Sequence, residues 1–269
     1  MPVRDNDFKP VRPPSLLKLA LEGRAPWEFA ALLASAPWLR QLPAGDGHPV
    51  MVFPGLGVSD FSTVPMRNFL RDRGYAPHPW EQGFNFGPRE GVLEACIERL
   101  KGLNERSGRK VSLIGWSLGG VYARELAKQF PDRVRCVITL GSPFGGHPRA
   151  TNAWRFFELV SGQSAHDPEV MAEIRRPPPI PTTSIYSRSD GVVAWQCSLN
   201  PELPHTENIE LQASHVGMGM NPLTMYVIAD RLRQPEAGWQ PFHNEGLRRL
   251  FFRPGPPATA FASHTPQAA

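Results

Sequence analysis

Short apolar runs alternate with longer amphipathic segments through the middle of the chain. The runs with strand character are Val50–Phe53, Tyr75–Trp80, Val111–Ile114, Val134–Leu140, Thr183–Tyr186 and Asn208–Leu211. Helical spacing of apolar residues marks Ser62–Arg73, Arg89–Arg106, Ser117–Phe130 and Pro222–Arg233. Strands that are apolar on both faces and alternate with helices indicate a parallel sheet covered by helices. The chain is therefore predicted to be an α/β protein with a mostly parallel central sheet.

The alternation breaks after Gly146. Thr151–Val160 and Pro168–Arg175 both have helical spacing, and no strand is expected between them. An insertion of this kind lies where a helical cap would cover the edge of the sheet. Residues from about 147 to 181 are therefore predicted to form a small helical cap.

The two ends of the chain fall outside this core, which is predicted to span residues 46–233. Residues 1–45 are expected to form an arm with two short helices, Pro14–Leu21 and Pro26–Ala36, each of which begins at or near a proline. Residues 234–269 are expected to form a C-terminal extension that is disordered beyond Arg253. No further strand is expected after Leu211.

Composition excludes several classes of protein. The chain has 269 residues, of which 41% are hydrophobic, so it can bury a core and is too apolar to be disordered. Its net charge of +4 is spread over scattered basic residues, and no nucleic-acid partner is expected. Three cysteines do not make a disulfide framework, and buried thiols are expected instead. With no signal-peptide pattern and no long uncharged apolar stretch, no membrane span is predicted, and the expected location is cytoplasmic.

The strongest chemical signal is the hexapeptide Gly115–Gly120, which contains the pattern G-x-S-x-G around Ser117. A β-rich run leads into it, and a helical segment follows. A serine at such a sharp strand-to-helix turn projects its hydroxyl from the edge of the sheet, and the flanking glycines allow close packing. An ordinary glycine-rich turn is the alternative. We interpret Ser117 as a candidate nucleophile.

A serine hydroxyl needs a base to remove its proton and an acid to orient that base. Asp190 follows the strand that ends near Tyr186, and His215 follows the strand that ends near Leu211. The order serine, acid, histidine is the one expected when the three follow successive strands of one sheet. A plain Asp-Gly turn and a structural histidine are the alternatives. His205, His48, His243 and His264 are poorer candidates, because none directly follows a predicted strand.

Two backbone amides are predicted to bind the oxyanion. The amide of Leu118 lies at a helix N-terminus, where the helix dipole favours negative charge. The turn Pro54–Gly57 can bring a second amide close to the reacting carbon, and we select that of Leu56; a simple tight turn is the alternative.

From about Pro49 to Arg233 the sequence resembles an α/β-hydrolase of the esterase and lipase kind. The resemblance rests on Phe53–Leu56, on the hexapeptide around Ser117, on Leu140–Gly146, and on the positions of Asp190 and His215. It implies hydrolysis of carboxylic esters through an acyl-enzyme, with no cofactor. Pro54 stands where lipases commonly carry a histidine. The loop 215–221 lacks the aspartate of calcium-binding bacterial lipases, so no metal is expected.

Apolar side chains near the candidate site suggest a hydrophobic acyl group in the substrate. The proposed pocket residues are Trp116, Trp154, Phe157, Trp195 and Met218. The first cap helix is apolar over a wide arc, so it must either pack on the core or meet a ligand. A small-molecule or lipid ester is the expected partner. An acyltransferase that uses the same three residues, and a non-catalytic binding protein that keeps the fold, are the alternatives.

Overall fold

The computed structural model describes residues 11–146, 150–161 and 168–256. Within these residues seven strands form one sheet in the order β2-β1-β3-β4-β5-β6-β7. The strands are β1 Pro49–Phe53, β2 Ala76–Pro79, β3 Val111–Trp116, β4 Val134–Leu140, β5 Thr182–Tyr186, β6 Thr206–Glu210 and β7 Arg253–Pro254. The first six pair in parallel, and β7 pairs antiparallel to β6. The predicted α/β class with a mostly parallel sheet is confirmed.

Helices cover both faces of this sheet. They are α1 Leu16–Ala20, α2 Ala25–Leu39, α3 Val64–Asp72, α4 Val92–Ser107, α5 Leu118–Gln129, α6 Trp154–Ser161, α7 Pro168–Arg175 and α8 Pro222–Leu232. None of the described helices is both long and apolar enough to cross a membrane.

Strand β1 shows how the sequence builds two cores. Val50 and Val52 pack on the side of α2, α3 and α8, whereas Met51 and Phe53 pack on the side of α4 and α5. All four side chains are buried, because alternate residues of a strand point to opposite faces and both faces are covered. Each such burial stabilises the fold by roughly 1.5–3 kcal/mol. Strand β1 is therefore packed on both faces, and it pairs with β3, the strand that leads to the candidate nucleophile.

The N-terminal arm differs from its prediction in detail. Helix α1 is followed by a 3₁₀ turn at Leu21–Arg24, and α2 continues past Pro37 to Leu39 instead of ending at Ala36. Proline removes one helical hydrogen bond, but packing compensates here. The Trp38 ring stacks on Tyr226 at 5.5 Å between centroids, and Leu39 is buried.

The C-terminal extension also differs from its prediction. Asn208–Leu211 was expected to be the last strand, but β7 follows it and pairs with β6, so that prediction is wrong. Phe242 and Phe252 pack edge to face with their centroids 5.2 Å apart, and this contact ties the segment to the core. The disorder predicted beyond Arg253 lies outside the described residues, except for residues 254–256. The cap prediction falls partly on 147–149 and 162–167, which also lie outside them.

Candidate active site

Ser117 lies at the sharp turn between β3 and α5. Its backbone has φ 53° and ψ −123°, a conformation that L-residues rarely adopt and that costs on the order of 1–3 kcal/mol. The neighbouring glycines permit the turn. A Cβ on Gly119 would lie 2.5 Å from the Phe53 carbonyl oxygen, and one on Gly115 would lie 2.3 Å from the Gly120 Cα. The turn therefore requires glycine at both positions, and it holds the Ser117 hydroxyl beyond the end of the sheet.

Three side chains from distant parts of the chain form one hydrogen-bonded series. The Ser117 Oγ lies 2.9 Å from the His215 Nε2, and the His215 Nδ1 lies 2.7 Å from the Asp190 Oδ2. The other carboxylate oxygen, Asp190 Oδ1, accepts the N–H groups of Val192 and Val193 at 2.8 and 2.7 Å. These two bonds fix the carboxylate, so Asp190 holds the imidazole in one orientation.

The histidine sits in an electrostatic environment suited to accept a proton. Burial alone lowers the pKa of His215, but the charge of Asp190, its hydrogen bond and the charge of Glu22 together raise that pKa above its ordinary value. His215 and Asp190 are buried, while Ser117 is half-buried. The imidazolium form is therefore favoured where a proton from Ser117 would arrive.

The turn predicted to supply one oxyanion donor lies against Ser117. A Cβ on Gly55 would lie 3.4 Å from the Ser117 Cβ, so the backbone of this turn approaches the hydroxyl closely. As the first residue of α5, Leu118 has an amide without a partner inside the helix. Leu56 and Leu118 border the same cavity as Ser117. Both residues whose amides are predicted to bind the oxyanion thus line one cavity with Ser117, and the role of the amides themselves stays a prediction.

An apolar cavity of about 580 Å³ opens beside Ser117. One face of α5 forms a wall of it through Leu118, Val121 and Tyr122, and residues of α6 and α7 face this wall. The volume falls within the range of roughly 300–1,000 Å³ that is typical of small-molecule sites.

The proposed pocket residues divide into two groups. Trp154 and Phe157 border the cavity. Trp116 and Met218 instead pack in the core on the side of α2, α3 and α8, and Trp195 stacks on Tyr186 at 5.7 Å between centroids. None of these three residues borders this cavity, because proximity to a site residue in sequence does not fix the direction of a side chain. Trp116 has a different position in the site: its Nε1 donates to the His215 carbonyl oxygen at 3.0 Å.

Comparisons with known proteins support the assignment of the fold. Residues 53–158 match the family model described as the alpha/beta hydrolase fold. A lipase B from Aspergillus fumigatus is 17% identical with a TM-score of 0.56, covering 72% of this chain and 55% of that one. A lipase from Bacillus licheniformis is also 17% identical, with a TM-score of 0.53 and coverage of 72% and 95%. The chain has the α/β-hydrolase fold.

The chain is also similar to a curated protein, a pimeloyl-[acyl-carrier protein] methyl ester esterase from Shewanella woodyi. The two sequences are 28% identical over 112 residues, which is 41% of this chain and 42% of the relative. The match therefore spans less than half of the relative's length.

Two further residues support the site, and neither was singled out as a site residue from the sequence. Buried Asn85 donates through Nδ2 to the Pro54 carbonyl oxygen at 2.8 Å and accepts the Gly57 N–H at 2.7 Å, so it fixes the turn beside Ser117. A Cβ on Gly141 would lie 3.1 Å from both Asp190 Oδ2 and His215 Nδ1. A glycine that directly follows strand β4 was the available clue for Gly141, whereas Asn85 lies in an irregular loop.

The described part of the chain has no group of three or more His, Cys, Asp or Glu side chains arranged to hold a metal ion. The absence of a metal and of a cofactor remains a prediction from the sequence.

Proposed function

We propose that this protein hydrolyses carboxylic esters through an acyl-enzyme formed on Ser117. The observation that carries the proposal is the series Ser117–His215–Asp190, which opens into an apolar cavity. A strained turn, a fixed carboxylate and a buried imidazole together are what nucleophilic catalysis by serine requires.

The geometry supports a specific sequence of proton transfers. Ser117 Oγ attacks the ester carbonyl carbon while His215 Nε2 takes the hydroxyl proton, and Asp190 stabilises the resulting imidazolium. The amides of Leu56 and Leu118 bind the oxyanion. The C–O bond to the alcohol breaks as His215 returns the proton to the leaving oxygen. Water then attacks the acyl-enzyme by the same route and releases the acid and free Ser117.

The cavity supports a hydrophobic acyl group as the substrate's distinguishing part. Its walls are largely apolar, and Ser117 lines it together with Leu118, Val121 and Tyr122 of α5, so we propose that an acyl chain extends along α5 from the carbonyl. The curated relative is named as a methyl ester esterase, which agrees with ester hydrolysis. We propose a small-molecule or lipid ester as the substrate.

The test uses the full chain with nitrophenyl acetate, butyrate and octanoate, and an alkyl fluorophosphonate as a covalent probe. We expect turnover of these esters and a single phosphonate adduct, located on Ser117 by peptide mass spectrometry. Ser117→Ala should abolish both signals. Purified, folded protein with neither turnover nor labelling would instead favour the non-catalytic alternative, and an adduct on another residue would refute the assignment of Ser117.

A further inference from the structure

The N-terminal arm packs directly on the two loops that carry Asp190 and His215. A Cβ on Gly191 would lie 2.3 Å from the Lys18 carbonyl oxygen, so the backbone of α1 meets the loop next to Asp190 without an intervening side chain. Lys18 Nζ donates to the Arg188 carbonyl oxygen at 2.7 Å, and Arg24 Nη2 donates to the Ser189 Oγ at 2.8 Å. The arm is therefore part of the site's support.

Glu22 is the residue of the arm that joins the two loops. Its Oε1 accepts the Gly191 N–H at 2.7 Å and the His215 N–H at 3.0 Å, and its Oε2 accepts the Val216 N–H at 2.8 Å. The side chain is buried, with 9% of its surface exposed. One carboxylate thus spans the residue after Asp190 and the backbone of His215 itself.

We propose that Glu22 is a positioning residue, whose carboxylate bridges the Asp190 loop and the His215 loop and holds the two side chains in register for catalysis. The proposal rests on the function proposed above. The loops follow different strands, β5 and β6. The hydrogen bond between Asp190 and His215 joins the two side chains, and Ser187 and Ser189 also hydrogen-bond to the backbone of Ala213, whereas Glu22 ties the backbone next to Asp190 to that of His215 itself.

Chemistry explains why a carboxylate fits this position. The two Glu22 oxygens meet three N–H donors, and an ionised carboxylate offers acceptors on both oxygens and no donor. Glutamine has the same shape, but its Nε2 is a donor and would face one of these N–H groups. Glu22→Gln therefore removes at least one of the three hydrogen bonds and the negative charge while keeping the volume of the side chain.

A second carboxylate of the arm reinforces the His215 loop. Glu28 Oε1 accepts the Ser214 N–H at 2.7 Å, and Glu28 Oε2 accepts from Asn221 Nδ2 at 3.0 Å. Arg24 Nε lies 3.3 Å from Glu28 Oε1. The charged groups around the His215 loop are therefore Asp190, Glu22, Glu28 and Arg24. Glu28 hydrogen-bonds to the His215 loop, whereas Glu22 hydrogen-bonds to both loops and so forms the bridge between them.

The kinetic test compares Glu22→Gln with the parent on nitrophenyl butyrate across pH. We expect kcat to fall about 10- to 100-fold, because a small misplacement of catalytic groups has an effect of that order. KM should stay unchanged, since Glu22 does not border the cavity. The acid limb of the kcat/KM profile should move to lower pH, because the charge of Glu22 raises the pKa of His215.

Glu207→Gln is the matched control. Glu207 is also a largely buried carboxylate that accepts a backbone N–H, from Phe242 at 2.6 Å, but it lies on β6 and contacts Thr183 and Arg231. Its substitution should lower the unfolding temperature without moving the acid limb or kcat. Equal losses of kcat with unmoved limbs in both variants would assign Glu22 a merely structural role and overturn the proposal.

A second measurement separates this proposal from the function it rests on. Histidine labelled at ¹³Cε1 reports the pKa of His215 by NMR titration in a Ser117→Ala background, with the signal assigned through His215→Gln. Glu22→Gln should lower that pKa, and Glu207→Gln should not. If the parent turns over no ester, the proposed function fails, yet a lowered pKa would still support the bridge. An unchanged pKa would overturn it.

Glu22→Asp covers the case in which Glu22→Gln fails to fold. The aspartate keeps the charge but is one methylene too short to reach both loops. We expect kcat to fall about tenfold. The acid limb should stay close to that of the parent, because the negative charge that Glu22→Gln removes is kept. Full activity in Glu22→Asp would mean that no bridge is needed and would overturn the proposal.

Discussion

The two ends of strand β3 carry the same three kinds of side chain in two very different settings. Past its C-terminal end, Ser117 hydrogen-bonds to His215, which in turn hydrogen-bonds to Asp190. Near its N-terminal end, Ser112 Oγ lies 2.8 Å from the His48 Nε2, and His48 Nδ1 lies 2.5 Å from the Asp46 Oδ1. The serines are five positions apart, or about 16 Å along an extended strand. Hydrogen-bond connectivity alone does not distinguish the two clusters.

Access and backbone geometry do distinguish them. Ser112 lies within β3 and His48 directly precedes β1, and both are fully buried, whereas Ser117 lies in a strained turn that borders the cavity. The Ser117 cluster also adjoins a helix N-terminus and the turn with Leu56, which can stabilise an oxyanion. Hydrogen bonds that link a serine, a histidine and an aspartate are thus insufficient for the proposed chemistry, which also needs access for the substrate and donors for the oxyanion.

The two histidines also titrate in opposite directions. Burial lowers the pKa of His48, the charges of Arg135 and Arg109 lower it further, and the contacts with Asp46 only partly oppose them. The pKa of His215 is raised, chiefly because Asp190 outweighs the effect of burial. The lowered pKa of His48 suits a structural hydrogen-bonding group, whereas the raised pKa of His215 suits a group that accepts a proton.

Replacing each serine by alanine gives the largest expected contrast. Ser117→Ala should reduce turnover of nitrophenyl butyrate by a factor on the order of 10⁶, because the three residues act as a unit. Ser112→Ala should leave turnover unchanged and lower the free energy of unfolding by about 1–3 kcal/mol through the unpaired His48 nitrogen. Steady-state kinetics and urea unfolding measure the two effects. A comparable loss of turnover in both variants would contradict the distinction between the clusters.

The cavity gives a second contrast, since only the Ser117 cluster borders it. Val121→Phe should fill part of the wall formed by α5 and reduce kcat/KM for the octanoate ester by about tenfold or more. The acetate ester, whose acyl group ends near Ser117, should be turned over as in the parent and serves as the control. If both esters lose activity equally, the acyl chain does not lie along α5.

The activity should also depend on the protonation state of His215. Because only the neutral imidazole can accept the Ser117 proton, kcat/KM should fall about tenfold per pH unit below the pKa of His215. That pKa is raised, so the fall should begin above the pH expected for an ordinary histidine. The His48→Gln variant should show the same limb. A limb that moves in His48→Gln would contradict the assignment of the base to His215.

Much of this site could be predicted from the sequence because its geometry follows from local rules. The glycines around Ser117 are required by packing distances of a few ångströms, so the motif carries its own structural reason. Asp190 and His215 follow parallel strands, whose carboxyl ends share one edge of the sheet. Their order in sequence therefore predicted that they would lie close together, and the hydrogen bonds join them.

Other features could not be predicted because they depend on contacts between distant segments. Glu22 meets His215 across a separation of 193 positions, and no pattern in the arm marks it. Trp116 precedes the nucleophile directly, yet its ring enters the opposite core. Strand β7 has only two residues, so its pairing with β6 leaves no periodic signal.

The smallest expected contrast concerns stability against pH, where the two histidines should have opposite signs. The unfolded state binds a proton near the ordinary histidine pKa of about 6.5. Folded His48 has a lowered pKa, so the free energy of unfolding falls as the pH drops from about 6.5 towards the folded pKa. His48→Gln should flatten this fall.

Folded His215 has a raised pKa, so its contribution is present below about pH 6.5 and is lost as the pH rises through the folded pKa. His215→Gln should remove that loss. Each effect is at most about 1.4 kcal/mol for every pH unit that separates the folded and unfolded pKa values. Urea unfolding of the parent and both variants between about pH 5 and 8 measures both slopes. Slope changes of the same sign in both variants would mean that the two imidazoles share one electrostatic setting, contrary to the contrast drawn between the ends of β3.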